Sequence, residues 1–108
     1  MPIEKWSDKI VVVHLSDDPQ FTEDLQSLGG PMRQNASIVL DFGGVRYVNS
    51  SNISRLLKLR KQLANTDARL MLCALSTQVW GVFLITGLDK IFEFSDNVPT
   101  ALATLQLD

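Results

Sequence analysis

Few residues of this chain are equipped for covalent or proton-transfer chemistry, and their spacing argues against most of it. The sequence holds one histidine, His14, and one cysteine, Cys73. His14 falls inside the β-branched run Ile10-Val11-Val12-Val13-His14-Leu15 with no nucleophile at a matching spacing, so a structural or surface role is expected. Cys73 lies in the apolar run 70–75 and should behave as a small buried hydrophobe. A lone cysteine excludes an intramolecular disulfide and argues against a thiolate metal site. Asp41 closes an apolar strand, a position that suits a functional carboxylate, a turn former or a helix cap equally. Gly29-Gly30 and Gly43-Gly44 fit neither a P-loop nor a dinucleotide fingerprint. One polar knot remains, Asn49-Ser50-Ser51-Asn52, whose first three residues are good helix caps. No catalytic set, metal site or cofactor site is expected.

Composition narrows the class further. The 108 residues carry 12 acidic and 10 basic side chains, a net charge of −2, with 45% hydrophobic and 20% charged residues. That is the make-up of one globular domain, 1–108, able to bury a core without staples. It holds no excess of Lys and Arg to neutralise the phosphates of nucleic acid or an anionic lipid surface. The first residues, Met1 to Trp6, lack the apolar region of a signal peptide. The longest apolar runs are strand-sized, far short of the ~20 residues of a membrane span. A reducing, cytoplasmic setting is expected.

The elements that must position the knot follow from periodicity. Residues 10–15 read as a strand, ended by the turn Ser16-Asp17-Asp18-Pro19. Phe21, Leu25 and Leu28 recur at helical spacing, with Glu23 and Asp24 in the first turn and Gly29-Gly30-Pro31 as the stop. Residues 37–42 form a second strand, followed by the bridge Val45-Arg46-Tyr47-Val48. Beyond the knot, Ile53, Leu56, Leu57, Leu63 and Ala64 make the apolar stripe of a helix reaching about residue 65. Residues 70–75 read as a strand buried on both faces. Ser76-Thr77 caps a helix whose inward face is Val79, Val82, Phe83 and Thr86, closed by Gly87. Residues 91–94 make a short last strand, and Asn97-Val98-Pro99 opens a final helix bearing Ala101, Leu102 and Leu105. Such alternation predicts a mainly parallel sheet with right-handed crossovers.

The segment 40–53 resembles the anti-sigma factor antagonist family of small bacterial STAS domains. In that family an apolar strand, a Gly-Val and an aromatic lead to Asp-Ser-Ser (or Thr)-Gly-Leu at a helix start. Ala74-Leu75-Ser76-Thr77-Gln78-Val79, Thr86-Gly87-Leu88-Asp89-Lys90-Ile91-Phe92 and Asn97-Val98-Pro99-Thr100-Ala101-Leu102 are similar to further family signatures, in the right order. The resemblance runs from about residue 36 onward; the first 30 residues match only in layout. Two positions depart from the pattern: Asn49 stands for the family's Asp, and Asn52 for its Gly.

The resemblance implies a STAS-like α/β fold, a four- to five-stranded mixed and mainly parallel sheet with about four helices. It also implies a non-enzymatic regulator of sigma-factor-dependent transcription. Such a protein binds an anti-sigma factor that is also a serine protein kinase, is switched off by phosphorylation, and is reset by a serine phosphatase. By position the acceptor is Ser50, with Ser51 as the neighbouring alternative, and a helix N-terminus accommodates an added phosphate. The implied contact surface is Asn49, Ser50, Ser51, Asn52 and Ser54 with Arg55 and Lys58 on the following helix. Arg55, Lys58, Arg60 and Lys61 read by default as a solvated helix face, with a partner surface as the alternative. Trp80 and Leu84, where the family is usually polar, share a helix flank as either packing or a contact patch. An alternative follows: a scaffold module that never receives phosphate and assembles with other STAS subunits or with itself.

Overall fold

The computed structural model describes residues 3–28 and 36–107. Five strands lie side by side in sequence order: β1 (Ile3–Ser7), β2 (Ile10–Ser16), β3 (Ser37–Gly44), β4 (Leu70–Cys73) and β5 (Glu93–Ser95). β1 runs antiparallel to β2, and the other three pairings are parallel. Consecutive parallel strands added in one direction by right-handed crossovers place every crossover helix on the same face. Accordingly α1 (Gln20–Ser27), α2 (Ser50–Ala64) and α3 (Thr77–Thr86) share one core with Val11, Val13, Leu15, Ile38, Leu40, Phe42, Leu70 and Leu72. The alternate strand residues Ile10, Val12, Val39, Met71 and Cys73 face α4 (Val98–Leu107) through Ala101, Val98, Leu102 and Leu105. Burial on both faces is why β4 is uninterruptedly apolar.

The expected α/β sheet is therefore present, with an additional edge strand. β1 went unread because its Glu4, Lys5 and Trp6 are exposed and only Ile3 and Ser7 are half-buried. Charge on an edge strand deters pairing with other chains, and it also erases the hydrophobic signal. On α2 the buried stripe is Asn52, Leu56, Leu59 and Leu63. Leu57 is exposed, as is Ala64, because 100° per residue sets both across the helix from Leu59. On α3 only Val79 and Phe83 are buried. Thr86 is exposed and turns its hydroxyl back onto the Val82 carbonyl at 2.7 Å.

Ser76 caps α3 by accepting from the Val79 N–H, and Gly87 ends it at φ +76°, as expected. The next residues form a 3-10 turn, Leu88–Lys90, so Ile91 lies outside the strand and β5 begins at Glu93. Asp24 is not a first-turn surface acid: it is buried and accepts from the Gln20 amide at 2.9 Å. The stop Gly29-Gly30-Pro31 lies outside the described residues. Edge-to-face rings knit the helical layer to the sheet: Phe42–Phe83 at 6.4 Å, Phe83–Phe94 at 5.5 Å and Trp80–Phe94 at 4.9 Å between centroids.

Candidate functional site

The polar knot sits at the C-terminal end of β3, where the chain must turn from sheet to helix. Gly44 is required there, because a Cβ would stand 2.9 Å from the Leu15 carbonyl oxygen of the neighbouring strand. Val45 is buried and anchors the bridge, while Arg46 and Tyr47 are exposed. Asn49 is extended at φ −118°, ψ 177° and is the N-cap of α2. Its side-chain oxygen accepts from the Asn52 N–H at 2.8 Å, and the Asn52 side-chain oxygen accepts from the Asn49 N–H at 3.1 Å. This reciprocal pair is a capping box made from two asparagines.

The cap is tied to the β2–α1 loop. Asp18 Oδ2 accepts from the Asn52 amide at 2.8 Å and from the Asn49 amide at 3.4 Å. Asp18 Oδ1 accepts from the Thr22 N–H at 3.0 Å and its hydroxyl at 2.7 Å, satisfying the start of α1 as well. Beside it, Asp17 accepts from the Arg46 N–H at 2.8 Å and from Arg46 Nε at 3.0 Å. The Thr22 hydroxyl, then the Asn52 amide, hold the Asp18 carboxyl below its ordinary range; the Arg46 N–H does the same for Asp17. One carboxylate thus serves the N-termini of two helices. Sequence reading took Asp17 and Asp18 only as a turn; acidic residues beside a predicted helix start were the available signal.

With the cap supplied by Asn49 and Asn52, Ser50 and Ser51 are the first two helical residues, and both are exposed. Ser54, Leu57, Lys58 and Lys61 continue that exposed face. Arg55 departs from it. Its side chain is half-buried toward α1, with two guanidinium nitrogens 3.0 and 3.2 Å from the Gln26 side-chain amide, whose oxygen accepts both when that amide is turned over. Arg60 donates from Nε to the Ile91 carbonyl at 3.1 Å. Of the basic cluster, Lys58 and Lys61 are exposed, Lys58 at a groove that it lines with Leu25 and Gln26 of α1; the two arginines brace α2 on its flanks.

Trp80 and Leu84 part company. Trp80 is half-buried with its ring against Phe94, whereas Leu84 is 50% exposed beside Ile85 at 89%. A groove of about 560 Å³ runs between the bridge and α3, lined by Arg46, Tyr47, Val48, Gln78 and Val82. Tyr47, expected only as part of the apolar bridge, and Ile85, which the helical pattern does not single out, are both exposed here.

The other reactive groups lie apart from this site. His14 is on the α4 side of the sheet, with Nδ1 2.7 Å from Asp41 Oδ2 and Nε2 3.2 Å from Glu4 Oε1. Those two carboxylates raise its pKa, Asp41 most. Burial, with the Asp41 charge added, pushes the Cys73 thiol up to about 12. Among the described residues no group of His, Cys, Asp and Glu is arranged to hold a metal ion. Among them, too, no helix is long and apolar enough to cross a membrane.

A family model for the STAS domain matches residues 4–101. The chain belongs to the STAS domain family. This STAS domain is 33% identical over 69 residues to BtrV of Bordetella bronchiseptica, provisionally named an anti-sigma factor antagonist. That match covers 64% of this chain and 60% of the relative. A Thermotoga maritima structure, also provisionally named an anti-sigma factor antagonist, superposes with TM-score 0.79 at 16% identity, covering 97% of this chain and 93% of that one. An anti-sigma-factor antagonist (STAS) domain protein from Planctomyces limnophilus gives 0.79 at 18% identity, over 96% and 97% of the two chains. The fold read from sequence is the fold of these neighbours.

Proposed function

We propose that this STAS domain is an anti-sigma factor antagonist: it binds an anti-sigma factor with serine kinase activity and is switched off by phosphorylation of Ser50. It works as a cytoplasmic binding module of one domain rather than as an enzyme, and a serine phosphatase restores the binding form. The observation that carries this reading is the division of labour at the start of α2. Asn49 and Asn52 make the cap, so the exposed Ser50 side chain is spare and can be modified without undoing the helix. A phosphate there adds about −1.5 to −2 charges and a hydration demand that a partner surface cannot meet. The helix N-terminus meanwhile accommodates the anion within the free domain. Loss of binding then needs no refolding, only repulsion and desolvation at the contact face formed by Asn49, Ser50, Ser51, Ser54 and Lys58.

Incubation with serine kinases of the anti-sigma type from the same organism, followed by mass spectrometry, tests the acceptor. Phosphate on Ser50 that disappears in Ser50→Ala is the expected outcome. An unmodified wild type, or unchanged labelling in Ser50→Ala, defeats it; label on Ser51 transfers the role to that neighbour.

A second reading, a scaffold that assembles with further STAS subunits, is favoured by the exposed Leu84 and Ile85. Light scattering over a concentration series separates it: a strict monomer counts against self-assembly.

A further inference from the structure

Two residues depart from the family's motif around Ser50, and both bind the same oxygen. The amides of Asn49 and Asn52 converge on Asp18 Oδ2. The two departures belong together. A glycine at 52 would have no side chain for Asp18 or for the Asn49 N–H. An aspartate at 49 would set a second carboxylate against Asp18, where like charges at hydrogen-bond range cannot both ionise freely. Asn52 is 2% exposed, so its bond to Asp18 is shielded from competing water.

We propose that Asp18 is the positioning residue of the Ser50 site. Its carboxylate, gripped by Asn52 and Asn49, sets the geometry of the α2 cap from the β2–α1 loop. It thereby fixes the direction in which the Ser50 hydroxyl is presented. Asp18 acts through the two asparagines and touches no reacting atom. The inference rests on Ser50 being the acceptor and adds what orients it. Its corollary is that the family's aspartate at 49 is acceptable in this chain only when residue 18 loses its charge.

Four proteins test it: wild type, Asp18→Ala, Asn49→Asp, and the charge exchange Asn49→Asp with Asp18→Asn. Aspartate caps a helix as well as asparagine does, so any defect of Asn49→Asp reports its clash with Asp18 and not a lost cap. Asp18→Asn, which keeps an oxygen for Thr22, replaces Asp18→Ala should the latter not fold. Hydrogen exchange at the Asn52 and Ile53 amides is read beside phosphate transfer from ATP by the purified kinases named above, resolved into kcat and KM. In Asn49→Asp, exchange rises about tenfold, the factor of one pKa unit of carboxylate repulsion. There and in Asp18→Ala, kcat falls more than KM changes, and the charge exchange restores both readouts. Unchanged exchange in Asn49→Asp, or no recovery on charge exchange, overturns the proposal. Phosphate on wild-type Ser50 with an equal kcat in Asp18→Ala overturns it alone, leaving Ser50 as the acceptor. A wild type that takes no phosphate removes both.

Discussion

Asp18 Oδ2 and the Asn52 side-chain amide stand 2.8 Å apart, joining the loop that starts α1 to the first turn of α2. Neither residue carries a catalytic signature. Together they make the N-termini of two helices into one surface, and Ser50 is presented on it.

Removing the Asn52 side chain should be costly for a surface-proximal helix end. Asn52→Ala deletes the donor to Asp18 and half of the capping box, and we expect a loss of about 1–3 kcal/mol. Urea denaturation measures it. A change within about 0.5 kcal/mol, typical of surface substitutions, would show that the bond contributes nothing net.

Acid should weaken the fold through the same loop. The Asp18 and Asp17 carboxyls have depressed folded pKa values, set first by the Thr22 hydroxyl and first by the Arg46 N–H respectively. Their stabilisation is fully present above the unfolded value of ~3.9 and is lost as pH falls through the folded values. Carboxyl-carbon NMR titration should place both midpoints below ~3.9. Midpoints at or above that value contradict the hydrogen bonding described.

His14 has the opposite sign. Its pKa is raised, most by the Asp41 hydrogen bond and next by Glu4. The stabilisation is full below ~6.5 and is lost as pH rises through the folded value. The imidazole should titrate above ~6.5 and move back toward it in Asp41→Asn. A midpoint below ~6.5 in the wild type would exclude the bridge.

β4 ends at Cys73, and the next residue, Ala74, takes φ +60° while its N–H donates to the Asp96 carbonyl at 3.2 Å. A left-handed alanine is strained by roughly 1–2 kcal/mol, part of which glycine relieves against its larger unfolded entropy. Ala74→Gly should therefore stabilise the protein by about 0.5–1 kcal/mol in thermal unfolding. A destabilisation would place Ala74 outside the left-handed region.

Trp80 and Leu84 should separate in a stability assay as they do in space. Trp80→Ala removes the ring packed on Phe94 and should cost about 2–4 kcal/mol, while Leu84→Ala should stay within about 0.5 kcal/mol. Equal small effects would return Trp80 to the surface.

The sheet was legible because β2, β3 and β4 are apolar on both faces, a pattern that survives any error in register. The helix at the knot was legible for its capping residues, although the sequence could not say which of them cap. Asn49 and Asn52 take that role, and both also reach Asp18, contacts across 31 and 34 positions that no local pattern encodes. β1 was missed for the reason edge strands are charged, and Leu59 was missed because Leu57 fits a stripe one turn-fraction away. Trp80 was readable as a flank residue, but only the position of Phe94 decides that it packs.

The central claim is that charge at Ser50 abolishes partner binding without unfolding the domain. Ser50→Asp tests it most directly, because an acidic residue at the first helical position favours the helix dipole and should leave stability intact. Calorimetric titration against an anti-sigma kinase of the same organism should give wild type and Ser50→Ala comparable affinities. Ser50→Asp should bind at least about tenfold more weakly, the cost of desolvating one unpaired charge at a contact face. Equal affinity of a folded Ser50→Asp variant would contradict the account.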